Sequence, residues 1–223
     1  MIVHLLVFCV IIAILSLFGQ QYADHYSKDN ESFRKLFHVM HGLTLAGLAF
    51  IVPTYWIVML ESLFFIEVII IRYMLGHDKI MPKLTTYMSR AYKVGRVSYG
   101  EFFYPVSVIL LVLLADSKWE FAASVLILGL ADTAAAMIGR KYGKSSTYKV
   151  FGQKKSLAGS LAFFIVCLAT VAIFTTVAPN IVPANTITIV LVTLLITISE
   201  NVGIYGSDNL LVPITAVLLL NAL

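Results

Sequence analysis

The sequence predicts an all-α, polytopic transmembrane helical bundle of about eight spans, on three observations. Of its 223 residues, 60% are hydrophobic and only 13% charged, against roughly 25% charged in a soluble domain. The apolar residues are gathered into rows approaching the about 20 residues that cross a bilayer. The basic residues fall almost wholly in alternate loops, as the positive-inside rule requires of a membrane chain. The length suits a single integral membrane domain, 1–223, without a separate soluble one. Net charge +4 and a pI near 9.0 therefore read as cytosolic loop charge, and no nucleic-acid partner is expected.

The rows fall at about 1–19, 36–52, 54–72, 102–115, 119–138, 157–178, 184–199 and 209–223. The first has no Lys or Arg ahead of it and no clear small-residue cleavage pattern after it, so it reads as a retained span rather than a signal peptide. Row 102–115 is short for about 30 Å of hydrocarbon, and needs polar neighbours or protein shielding to complete a crossing. With eight spans, segments 20–35, 72–101, 139–156 and 200–208 share one side, and 53–54, 116–118 and 179–183 the other. Fifteen of the sixteen Lys and Arg residues then lie on the first side and only Lys118 on the second. This places the basic loops in the cytosol and both termini opposite. Cys9 and Cys167 sit inside apolar rows as small hydrophobes and offer no disulfide framework.

Loop 72–101 is too long for a turn. After Pro82, Leu84, Tyr87, Met88, Ala91 and Tyr92 recur at helical spacing, with Lys83, Thr85, Thr86, Ser89, Arg90 and Lys93 on the opposite arc. This predicts a short amphipathic helix in the cytosolic interface, either a membrane anchor or a gate beside a lipid-entry cleft.

Carboxylates inside a bilayer cost about 2.5–3.5 kcal/mol each on insertion scales, so each needs a reason. Glu67, Glu101, Asp132, Glu200 and Asp208 all fall at the cytosolic depth, beside the basic residues. Only Glu61 lies near mid-membrane, where a packed, protonated or hydrogen-bonded helix contact competes with a functional role. Asp132, Ala136 and Gly139 share a helix face that ends at Arg140 and Lys141. Farther on, Gly152-Gln-Lys154-Lys155-Ser156-Leu-Ala-Gly159-Ser160 opens a new helix, whose N-terminal amides favour phosphate. No Walker A loop is present. Small residues alone signal close helix packing, and a basic loop alone signals topology and anionic lipid. An in-membrane Asp, an adjoining basic loop and a Ser/Gly-rich helix start together favour an enzyme handling a magnesium nucleotide.

The stretches DTAAAMIGRKYGK and KKSLAGSLAFF resemble the signature of the CTP-dependent polyprenol kinases, the group of phytol, farnesol and dolichol kinases, and more distantly the phosphatidate cytidylyltransferases. Arg34-Lys35-Leu-Phe-His38, Arg96-Val-Ser-Tyr-Gly100-Glu101 and Asp208-Asn209-Leu-Leu-Val-Pro213 are similar to further family motifs, in order, over residues 34–213. Ala131 departs from the Gly the family often carries before its Asp. The resemblance implies transfer of the γ-phosphate of CTP to a long-chain alcohol with Mg²⁺ or a similar cation. On that reading Asp132 holds the metal or orients the attacking hydroxyl. Glu101 is a second catalytic group and, with Asp208, a further metal ligand or a cytidine contact. Arg140, Lys154, Lys155 and Ser156 hold the triphosphate, with Arg96, Lys141, Gly159, Ser160 and Asn209 around the nucleotide. Arg34, Lys35 and His38 face the alcohol, His38 orienting a carboxylate or the substrate hydroxyl, against the competing reading of a packed, hydrogen-bonded helical His. His41, one turn beyond His38, makes no zinc site by itself. The competing readings are a diacylglycerol kinase or cytidylyltransferase using CTP, an ion-coupled transporter and a non-catalytic scaffold.

Overall fold

Seven of the apolar rows fold as helices in the structure, a computed structural model that describes residues 30–69, 99–178 and 185–222. They are α1 (Asn30–Ile51), α2 (Thr54–Ile69), α3 (Gly100–Leu114), α4 (Lys118–Leu126) running into α5 (Asp132–Tyr142), α6 (Leu157–Val177), α7 (Thr186–Val202) and α8 (Asp208–Asn221). The first apolar row and the amphipathic stretch after Pro82 lie outside the described residues. Lys118–Ser146 and Leu157–Val177 are long and apolar enough to cross a membrane, and the remaining apolar helices are shorter.

Local chemistry sets the helix starts. Ser117 and Glu120 form a reciprocal capping box at α4. Ser156 caps α6 through the Gly159 amide at 3.2 Å, and Asn185 caps α7 through that of Ile187 at 2.9 Å. Between α4 and α5 the chain widens into a π-helical turn, Ile127–Ala131, immediately before Asp132.

The all-α expectation needs one correction. Part of the stretch read as loop 139–156 is a two-stranded antiparallel hairpin, β1 (Thr147–Val150) and β2 (Gln153–Ser156). Its residues alternate between exposed and half-buried along β1, the period of a strand. The turn is made by Phe151 and Gly152 at φ 46 and 82, the left-handed pair that a two-residue hairpin turn requires.

α4 and the π turn form the centre, against α1, α6 and α8, while α3, α8, α7 and α6 follow one another around it and α2 packs on α3. The helices alternate in direction, so the molecule has two distinct ends. At one, Asn209 donates to the Gly100 carbonyl at 3.0 Å and Lys155 meets Glu200. At the other, Asn221 donates to the Leu114 carbonyl at 2.7 Å, and Trp119 packs edge-on to Phe50 and Phe174.

The faces of α6 decide its surroundings. Phe163, Cys167 and Val171 are fully buried, whereas Leu157, Leu161, Ile165 and Ile173 form an outward stripe, each more than half exposed. Such a stripe suits hydrocarbon better than water. Four hydroxyls of α6 and α7 are closed off accordingly: Thr170, Thr193, Thr197 and Ser199 donate to carbonyls three or four residues back in their own helices.

Candidate active site

Two glycines bring α1 onto the central helix. A Cβ on Gly42 would lie 3.1 Å from the Val125 carbonyl oxygen, and one on Gly129 would lie 3.4 Å from that of His38. This close crossing sets the first turns of α1 over the start of α5. The Lys35 ammonium there pairs with the Asp132 carboxylate. His38 Nε2 lies 3.9 Å from Asp132 Oδ2, and Thr133 Oγ1 donates to the Lys35 carbonyl at 3.3 Å. Lys35 and Asp132 side chains are only 7% and 8% exposed.

A second close approach joins α5 to α6. A Cβ on Gly139 would come within 3.0 Å of Ser156 Oγ and 3.4 Å of Gly159 Cα, and one on Gly143 would run into the Ser156 side chain. Ser156 and Gly159 thus meet the end of α5 while shaping the start of α6.

The hairpin divides its lysines. Tyr148 and Lys155, opposite each other in the register, turn toward the helices. The Tyr148 hydroxyl bonds Ser160 Oγ at 2.6 Å and donates to Asn201 Oδ1, to which Ser160 Oγ also donates at 2.8 Å. Lys155 Nζ donates to the Glu200 carboxylate at 2.5 Å and to its backbone carbonyl at 2.8 Å. Lys149 and Lys154, also opposite each other, are exposed on the other face. Lys154 and Lys155, adjacent in sequence and grouped as triphosphate ligands, therefore point to opposite sides. Arg140 and Lys141 lie exposed on the last turn of α5.

Asp208 opens α8, held close by a tight loop in which a Cβ on Gly203 would strike the Asp208 backbone. Its carboxylate accepts the Asn209 N–H at 3.1 Å and lies within electrostatic reach of Asp132, Lys35 and Lys155. Glu200 likewise lies within electrostatic reach of Asp132 and Asp208. Three carboxylates and two ammonium groups from α1, α5, β2, α7 and α8 thus form one charged cluster.

This cluster joins Asp132, Lys35, His38, Lys155 and Asp208 from the expected set, with Ser160 and Asn209 at its edge. The side chains of Arg34 and Glu101 and the whole of Arg96 lie outside the described residues. Lys35, expected toward the alcohol, pairs with Asp132. Glu200, Asn201 and Tyr148 complete the arrangement without having been singled out as ligands; the available signal was an acid and an amide ending an apolar helix. Among the described residues, no three His, Cys, Asp or Glu side chains are grouped as metal ligands. A divalent cation here would need phosphate oxygens to complete its shell, which is how Mg²⁺ binds with nucleotides.

Fold and site together define an apolar helical protein with a lysine-neutralised carboxylate cluster at one end. Its sequence is 28% identical over 197 residues to a phytol kinase of Synechocystis sp. (strain ATCC 27184 / PCC 6803 / Kazusa), covering 85% of this chain and 78% of that protein. No family model and no solved structure matches the chain.

Proposed function

We propose that this protein is a membrane-embedded lipid-alcohol kinase that transfers the γ-phosphate of CTP to a long-chain isoprenoid alcohol of the phytol or polyprenol class, at the cytosolic face. The observation that carries this reading is the similarity to a phytol kinase over most of both chains. The charged cluster at the end of an apolar bundle supports it, because a lipid hydroxyl and a soluble nucleotide can meet at such a boundary.

In the reaction the alcohol oxygen bonds to the γ-phosphorus as the bond to the β,γ-bridging oxygen breaks, yielding an alkyl phosphate, CDP and a proton. Such transfer asks the protein mainly for positioning and charge neutralisation. Lys35 and Lys155 are the buried ammonium groups that can turn from carboxylate to phosphate oxygens, with Arg140 and the exposed Lys141 and Lys154 at the approach. When Lys35 engages phosphate, Asp132 is released to orient the hydroxyl or a cation, and His38 beside it can take up the proton. Mg²⁺ would neutralise phosphate charge, and Asp132, Asp208 and Glu101 are the carboxylates proposed to hold it. Asn209 is assigned to the nucleotide.

Purified protein in lipid, supplied with CTP labelled at the γ or the α phosphate and a panel of alcohols including diacylglycerol, tests this. Transfer of γ label to an isoprenoid alcohol is expected. Transfer of α label to lipid would replace the kinase with a cytidylyltransferase, and absence of CTP turnover with every acceptor would refute both.

A further inference from the structure

The outer face of the hairpin plays no direct part in the chemistry above. Residues 139–156 carry six basic side chains, Arg140, Lys141, Lys144, Lys149, Lys154 and Lys155, and no Asp or Glu. Lys155 has its carboxylate in Glu200 on the inner face. Lys149 and Lys154 stand directly opposite each other on the outer face, both exposed. Side chains so placed in an antiparallel pair have Cβ atoms about 4.5–5.5 Å apart, and like charges there repel. An anion held between the two ammonium groups removes that repulsion and gains a charge-assisted hydrogen bond from each.

The surroundings select the anion. The turn that closes the hairpin carries Phe151, 74% exposed and at φ 46, a backbone region that a bulky residue rarely adopts. A large apolar ring at the tip of a charged hairpin gains nothing from water, whereas the interfacial layer of a bilayer takes up aromatic rings and lysines together. The hairpin also stands at the edge of the hydrocarbon. Leu157 follows Lys154 by three residues, at most about 11 Å of chain, and Leu157, 65% exposed, begins the outward apolar stripe of α6. A lysine side chain can snorkel across such a gap. Tyr148, bonded to Ser160 and Asn201, holds the hairpin at that level.

We propose that the hairpin docks on anionic lipid: Phe151 enters the interfacial layer, and Lys149 and Lys154 hold a lipid phosphate between them. This docking rests on the membrane-embedded reading above and is independent of the kinase chemistry. A nucleotide offers the same phosphate oxygens, and Lys154 also stands at its approach, but a nucleotide brings no interfacial layer to take up Phe151. Lipid bound on the outer face leaves Tyr148 and Lys155 turned inward, so the membrane and the charged cluster hold opposite faces of one hairpin.

Phe151→Trp keeps an aromatic ring at the tip and adds a fluorophore, with the wild-type signal of Trp56 and Trp119 subtracted. The protein is placed in nanodiscs of phosphatidylcholine with a minor fraction of phosphatidylglycerol; incorporation itself tests the membrane reading. At equal mole fraction, acyl-brominated phosphatidylglycerol is expected to quench the added Trp more strongly than brominated phosphatidylcholine. Lys149→Gln in the same background is expected to lower that preference by up to about fivefold, the effect of one lysine at an anionic surface. A Trp that emits as in water and is quenched by neither lipid overturns the docking. Equal quenching by the two lipids, or an unchanged preference in Lys149→Gln, overturns it as well. Loss of the preference on adding CTP assigns the lysine pair to the nucleotide and overturns it too. Turnover of γ-labelled CTP is read separately. Turnover with an unquenched Trp removes the docking and leaves the kinase; anionic-lipid preference without turnover does the reverse.

Discussion

The charged cluster holds three carboxylates, Asp132, Glu200 and Asp208, against two lysines, Lys35 and Lys155. Removing either member of the buried Lys35–Asp132 pair should therefore have unequal effects. Lys35→Met leaves three carboxylates facing one ammonium group, with Asp132 only 8% exposed; stranding a buried charge in this way costs about 3–5 kcal/mol. Asp132→Asn leaves two carboxylates facing two lysines, and the cost falls to about the 1.5–3 kcal/mol of one hydrogen bond to a charged group. Cys167 is a free thiol with 0% exposure, so its reaction with a thiol dye during heating reports unfolding in a Cys9→Ser background. Lys35→Met is expected to expose Cys167 at a distinctly lower temperature than Asp132→Asn. Asp132→Asn should remain folded while losing about 100-fold or more in turnover, as when a transition-state contact is removed. Equal destabilisation of the two variants, or wild-type turnover in Asp132→Asn, would refute the reasoning.

Lys155→Met should lower stability by about 3–5 kcal/mol by stranding Glu200, whereas Lys154→Met, on the exposed face, should stay within about 0.5 kcal/mol; the same thiol assay compares them. Gly159→Ala places a Cβ 3.0 Å from the Ala135 carbonyl oxygen and from Ser156 Oγ, so α5 and α6 must part, at about 1–3 kcal/mol, with a raised KM for CTP in steady-state assays. Tyr148→Phe removes the hydroxyl that joins the hairpin to Ser160 and Asn201, and hydrogen exchange should rise across residues 147–156 more than in α6. Ser117→Ala, at the opposite end, should cost about 1 kcal/mol through lost capping and leave turnover unchanged.

Helices were legible wherever hydrophobicity ran unbroken, and the start of α6 where Ser156 preceded the row, whereas the Ser117 capping box emerged only from the structure. Asp132 stood out because a carboxylate in an apolar helix is expensive. Partners were harder to read. Periodicity places His41 and Glu61 on helix faces, but nothing local states that these two side chains meet across the turn joining α1 to α2. Lys154 and Lys155 read as one basic patch because loop charge carries no direction. The alternation that separates them emerges only once Phe151 and Gly152 are seen to close a hairpin. Glu200 looked like a loop flank because its interest lies in Lys155, 45 residues earlier.

The hydroxyls of Thr170, Thr193, Thr197 and Ser199 are each tied to their own helix, so they do not cross-link α6 to α7. The polar bonds between these two helices are gathered instead at one end, through Ser160 and Asn201, with Lys155 reaching Glu200 just before α6 begins. A pair built this way behaves like tongs pinned at the handle. Toward the far end these helices meet through apolar side chains, while the pinned end keeps the charged groups in register.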